Sequence, residues 1–145
     1  MTEDPRSIHV DEYLAHPPAK IWRALTDPDL LATWLMRNDF RPEVGHRFTF
    51  VTQPVPGTDF DGVVRCEVRA VEPERLLRIS WAGASDVATT VTWRLQAEGR
   101  GTRLFLDHER LDPDSPGQQL ARRVMGGGWR SRMMPALAAV LELGS

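Results

Sequence analysis

Residues 115–143 read SPGQQLARRVMGGGWRSRMMPALAAVLEL and form the longest helical stretch in the chain. Ser115 suits an N-cap, Pro116 the first helical position, and Gln118 the reciprocal place of a capping box. Met125, Trp129, Met133, Ala136, Val140 and Leu143 recur at steps of three and four, which sets them on one helix face. Leu120 and Val124 fall out of that phase. The change lies at Gly126-Gly127-Gly128, where each glycine costs roughly 1 kcal/mol against alanine. The spacing therefore predicts a helix that bends or breaks at the glycines, with a second kink at Pro135. Its apolar face is broad and needs a cover, which the middle of the chain supplies as strands.

Working outward, Ser7–Leu14 alternates as a strand, with Ile8, Val10 and Glu12 opposite His9, Asp11 and Tyr13. Pro18–Leu25 reads as a short helix with Ile21, Ala24 and Leu25 inward. Asp27-Pro28 caps a second helix carrying Leu30, Leu31, Trp34 and Leu35. Residues 37–47 read as a connection, and Phe48–Phe50 starts the next strand. Residues 53–61 are turn-like (QPVPGTDFD). Val64, Cys66, Val68 and Ala70 then share one face. Glu72-Pro73-Glu74 is a tight turn, followed by Leu77, Ile79 and Trp81. Residues 82–86 form a small-residue turn, followed by Val87, Thr89, Val91, Trp93 and Leu95. Residues 98–101 (EGRG) close a hairpin into a strand whose Leu104, Leu106 and His108 face the helix.

Short turns between consecutive strands imply an antiparallel meander. One apolar face per strand implies one covered side. The expected architecture is α+β: a curved antiparallel sheet of about six strands wrapped around a long C-terminal helix, with two short helices after the first strand. All 145 residues fit one domain.

The order and spacing of several segments resemble the START-like (SRPBCC) superfamily with its helix-grip fold. They are PPAKIWRALTDPDLLATWL, VGHRFTF, VRAVEPERLLRISW, VTWRLQAEGRGTRLFLDHERL and GGGWRSRMMPALAAVLEL. More narrowly they resemble the bacterial branch related to the activator of the heat-shock-chaperone (heat shock protein 90) ATPase. Trp34-Leu35 stands where that branch often has two aromatics, and Gly45-His46 where it often has two glycines. The resemblance implies a cavity between sheet and long helix for an apolar or amphipathic small molecule. It does not name the ligand, because the fold hosts carriers, polyketide-cyclase-like enzymes, hydrolases and co-chaperones.

Composition narrows the function classes. Net charge is -2, and the Arg122, Arg123, Arg130 and Arg132 tract reads as a solvated helix face, so no nucleic-acid partner is expected. No apolar run reaches the roughly 20 residues of a membrane span. MTEDPRSIHV lacks the form of a secretory signal, and the single Cys66 suits a reducing compartment, so a cytoplasmic location is expected. The four histidines show no metal-ligand spacing, and no glycine loop of the dinucleotide or phosphate type is present, so neither metal nor cofactor is expected. Lys20 alone would have to carry any Schiff-base chemistry.

Candidate ligand-binding residues are Trp34, Phe48, Trp81, Trp93, His108, Met125, Trp129 and Met133, because aromatics and flexible methionines suit adaptable apolar sites. The bland reading of each is core packing. His108 is the candidate catalytic residue, an inward imidazole able to move protons near neutral pH. Three functions follow. The first is binding of a small apolar molecule without turnover. The second is a cyclase, dehydratase or hydrolase using His108 as acid or base, with Tyr13 or an inward arginine polarising the substrate. The third is a co-chaperone-like interaction module, the weakest of the three, since the chain has no counterpart of the eukaryotic activators' extra N-terminal domain. A homodimer is compatible with any of them.

Overall fold

The computed structural model describes residues 7–53, 62–82, 89–110, 114, 129 and 133–143. The elements are β1 (Ile8–Leu14), α1 (Pro18–Thr26), α2 (Pro28–Trp34), β2 (Arg37–Asn38), β3 (Arg47–Val51), β4 (Val63–Glu72), β5 (Leu76–Trp81), β6 (Thr89–Glu98), β7 (Gly101–Glu109) and α3 (Met134–Leu143). The seven strands make one curled sheet in the order β1-β7-β6-β5-β4-β3-β2. Every pair is antiparallel. This is the expected α+β helix-grip arrangement, with one strand more than the alternation predicts.

The extra strand is β2. Its two residues pair with Val51 and Phe50, and so short a segment leaves no period to read. The two early helices form as their prolines and caps dictate. Asp27 Oδ1 accepts from the Asp29 and Leu30 amides at 2.9 and 3.4 Å, which satisfies two of the orphan donors at the start of α2. Trp34 Nε1–H donates to the Ala24 carbonyl at 2.9 Å and pins α2 to α1.

Turns follow their residues. The Glu72 carbonyl accepts from the Arg75 amide at 2.9 Å across Pro73-Glu74, with Glu74 at φ 64. That is a type II turn, with proline where φ is preset and glutamate where glycine is preferred. Glu98 and Gly101 pair across a two-residue loop whose Gly99 has φ 60, the place that a type II′ hairpin reserves for glycine.

Strand parity places Phe48, Phe50, Val64, Cys66, Val68, Leu77, Ile79, Trp81, Val91, Trp93, Leu104 and Leu106 in one buried cluster. Ala70 departs from the expected inward set. The pairing runs Val68 to Ile79 and then Ala70 to Arg78, so Arg69 is one residue too many. This β-bulge reverses the parity beyond it. Val71, opposite Leu77, packs against the core instead.

The helical stripe also needs correction. In α3 the buried residues are Met134, Leu137 and Leu141, while Met133, Ala136 and Val140 are only partly buried. The segment MPALAAVLEL is apolar nearly all round, so two stripes one residue apart compete, and the one with the leucines buries more area. α3 contacts α1 and α2, and Glu142 Oε1 reaches His16 Nε2 at 3.1 Å. The predicted break at Gly126–Gly128, and the start of the helix at Ser115, lie outside the described residues. No helix among the described residues is long and apolar enough to cross a membrane.

Candidate functional site

β5, β6 and β7 lie side by side, and their inward residues meet Trp129 from the C-terminal segment. Trp81 to Trp129 is 5.6 Å between ring centroids, Trp93 to Trp129 is 6.0 Å, and Trp81 to His108 is 5.7 Å. His108 to Trp129 is 6.5 Å. Phe50 extends the cluster at 5.5 Å from Trp81, and Phe48 adjoins Phe50 at 5.3 Å. Such tilted and edge-to-face pairs each add about 0.5–1.5 kcal/mol beyond area burial.

His108 sits at the centre, 1% exposed. The Trp129 indole can only donate, so its Nε1–H at 3.4 Å makes Nδ1 of His108 the acceptor. The proton therefore resides on Nε2, which donates to Thr89 Oγ1 at 2.7 Å. Thr89 in turn donates to the Trp81 carbonyl at 2.8 Å. The relay ends on backbone with both ring nitrogens occupied. Burial pushes the His108 pKa down to about 4, so the imidazole is neutral at physiological pH.

Trp93 differs from its neighbours. It is 1% exposed, and its indole Nε1–H has no hydrogen-bond partner among the described residues. A buried donor left unpaired costs about 1–3 kcal/mol. Cys66 is buried below the same sheet face. Burial, with a smaller contribution from the charge of Asp39, pushes its thiol far above the ordinary range, so it is no nucleophile.

The structure brings Trp81, Trp93, His108 and Trp129 together. Phe48 joins at the flank and Met133 packs only at the margin. Trp34 is buried but spends its indole on the α1–α2 joint. Met125 lies outside the described residues. Tyr13 is a correction: it is 44% exposed and shares the outward parity of His9 and Asp11, so it cannot serve an interior substrate. Among the described residues no cluster of three or more His, Cys, Asp or Glu could hold a metal ion.

Sequence reasoning missed one constellation on the outer face. Ser7 Oγ lies 2.9 Å from His9 Nε2, and His9 Nδ1 lies 2.6 Å from Asp107 Oδ1. Arg94 donates to the other Asp107 oxygen at 3.0 Å. Ser7 precedes β1 and stands two residues before His9, and β1–β7 pairing supplies Asp107 opposite His9, so only the register reveals it. The order is that of a nucleophile, base and acid. The access is reversed, however, with Ser7 6% exposed and the His9 side chain 59% exposed. Acyl transfer needs an open hydroxyl and a sheltered base.

No curated protein matches the chain. Several solved structures do. A crystal structure of a Mesorhizobium loti protein is 34% identical, with a TM-score of 0.84 over 97% of this chain and 99% of that one. DynU16, a protein of the dynemicin biosynthetic locus, is 25% identical with a TM-score of 0.77, covering 99% of this chain and 49% of DynU16. The solution structure of the Aha1 dimer from Colwellia psychrerythraea shares the fold at 19% identity, TM-score 0.74, over 96% and 98% of the two chains. The family model for Activator of Hsp90 ATPase homolog 1-like proteins matches residues 15–142. With that match spanning both early helices, all but the first strand of the sheet and α3, this chain belongs to the Activator of Hsp90 ATPase homolog 1-like family, on the START-like fold.

Proposed function

We propose that this protein binds an apolar or amphipathic small molecule between the inner face of the sheet and the C-terminal segment, in the cytoplasm and without turning it over. The carrying observation is the Trp93 indole N–H, fully buried inside a cluster of aromatic rings and without an acceptor among the described residues. A carbonyl or hydroxyl oxygen of a bound molecule would satisfy that donor, while Trp81, Trp129 and Phe50 supply apolar contact. The START-like fold supports the reading, and so does a lone buried cysteine, which suits a reducing compartment. Catalysis by His108 is disfavoured because both its nitrogens are already engaged and its pKa is near 4. Chaperone docking is disfavoured because Tyr13 and Val44 are the exposed large hydrophobics among the described residues, too little for an apolar patch.

The test is native mass spectrometry of freshly isolated protein, followed by titration with the fluorophore ANS. A co-purified small molecule is expected, as is ANS binding that perturbs tryptophan emission. Trp93→Phe keeps an aromatic ring at the position and removes the donor. It should weaken the co-purified ligand by roughly tenfold, the worth of a hydrogen bond in a dry site. Absence of any co-purified molecule together with no ANS response would refute the proposal.

A further inference from the structure

The outer face of the sheet carries a partly open cavity of about 550 Å³, lined by Arg69, Arg78, Ser80, Thr90, Glu109 and Arg110; Thr89, whose hydroxyl is engaged with His108 and the Trp81 carbonyl, also borders it. We infer that it is a second binding site, for a small organic oxyanion carrying a phosphate or carboxylate head. Three guanidiniums face one carboxylate, so the lining carries an excess of positive charge. Two of the three arginines sit at irregularities of the backbone. Arg69 is the extra residue of the β4 bulge, unpaired in the ladder, and keeps the outward parity of Arg65 and Glu67. Arg110 has φ 70, a conformation that costs a non-glycine residue on the order of 1 kcal/mol. Alternation thus brings Arg69 and Arg78 to the cavity, and the left-handed residue after β7 adds Arg110.

The charges are also unspent. Elsewhere on this face the arginines are paired: Arg94 with Asp107 at 3.0 Å, and Arg103 with Glu98 and Asp11 at 3.0 Å each. Arg78 has no ion pair among the described residues; its Nε donates to Thr92 Oγ1 at 3.1 Å and its terminal nitrogens are left for a ligand. Arg110 has none among them either, and Arg69 has only a long contact of 3.4 Å to Glu67. Ser80, 9% exposed, accepts from the Glu67 amide at 2.9 Å and retains its own O–H to donate. Ser80 pairs with Thr90, and Thr90 with Glu109, so two hydroxyls and a carboxylate lie in one row across three strands. Guanidiniums and hydroxyl donors bind oxyanions by charge-assisted hydrogen bonds. Glu109 selects for a ligand that also carries a hydroxyl or ammonium group. A bare ion would leave most of the volume empty.

Isothermal titration of the full chain with glucose 6-phosphate, citrate, glucose and inorganic phosphate tests this. Glucose 6-phosphate or citrate is expected to bind, and the one that binds better identifies the head group. Glucose is expected to give no heat, and rising salt should weaken binding. Arg78→Gln and Arg110→Gln should each lower affinity roughly tenfold, the loss of one charge-assisted contact. Arg103→Gln, outside the cavity, should leave it within about twofold. Circular dichroism and ANS titration of the same variants should be unchanged, which separates this site from the interior one. No heat from either organic anion, binding of inorganic phosphate alone as an adventitious ion only, or an equal loss in Arg103→Gln would overturn the inference.

Discussion

The two faces of one sheet obey different rules. On the inner face the alternation of β5, β6 and β7 carries straight through to Trp81, Trp93 and His108, and the polar atoms there are tied into a single relay, save one. On the outer face the alternation sets Arg69 and Arg78 side by side, and a left-handed residue adds Arg110 to them. On a buried face an unpaired polar group is costly, so the polar atoms there are tied down and Trp93 Nε1 is the exception among the described residues. A wet face has no such constraint, and an irregularity persists there at little cost.

The sharpest way to break this contrast is to truncate one residue on each side. Trp129→Ala removes a fully buried ring and the donor to His108, so a loss of about 3–5 kcal/mol is expected in urea unfolding. Arg78→Ala on the outer face should change stability by less than about 1 kcal/mol. Comparable losses would erase the distinction.

Acid is a second probe of the inner face. The folded-state pKa of His108, about 4, lies below its ordinary 6.5. Between those values the unfolded chain binds a proton that the folded chain refuses. Stability is thus fully present above about pH 6.5 and falls as pH drops toward 4. The loss contributed by this group is on the order of 3 kcal/mol. Unfolding curves across that window should show it, and His108→Leu should flatten it. An unchanged slope in the variant would assign the acid sensitivity elsewhere.

A smaller effect tests the relay itself. Thr89→Val strips the acceptor from His108 Nε2–H, and about 1–3 kcal/mol should be lost. The nitrogen-15 shifts of His108 should report the change directly. Least of all, Glu74→Gly replaces a glutamate at φ 64 and should gain a few tenths to about 1 kcal/mol in thermal unfolding, an irregularity whose cost is measurable because nothing buries it.

Legibility in the sequence follows the same division. The pairs Leu104/Leu106 and Val91/Trp93 declare an inward face by period alone, and His108 comes with them. Pro18 and Asp27-Pro28 announce the helices. Ala70 was not legible as outward, because a bulge is a property of two strands and not of one. The stripe of α3 was misread by one residue since Met133 and Met134 offer the same chemistry in adjacent phases. Arg110 gives no sign of its left-handed backbone, because the common residues for that geometry are glycine and asparagine. The unpaired Trp93 nitrogen is beyond any sequence reading, being the absence of a neighbour.

The sheet order also sets a timetable for synthesis. β1 is made before the other strands of this sheet and lies at one edge, yet its partner among the described strands is β7, with Ile8 opposite His108 and Leu14 opposite Thr102. At about 5–20 residues per second, a ribosome leaves that strand waiting on the order of ten seconds. During that interval β2 to β6 can zip by neighbouring hairpins, while the N-terminal strand has no edge to join. The closing step is therefore a long-range one. In a refolding experiment the pairing of β1 with β7 should be among the last contacts protected from hydrogen exchange.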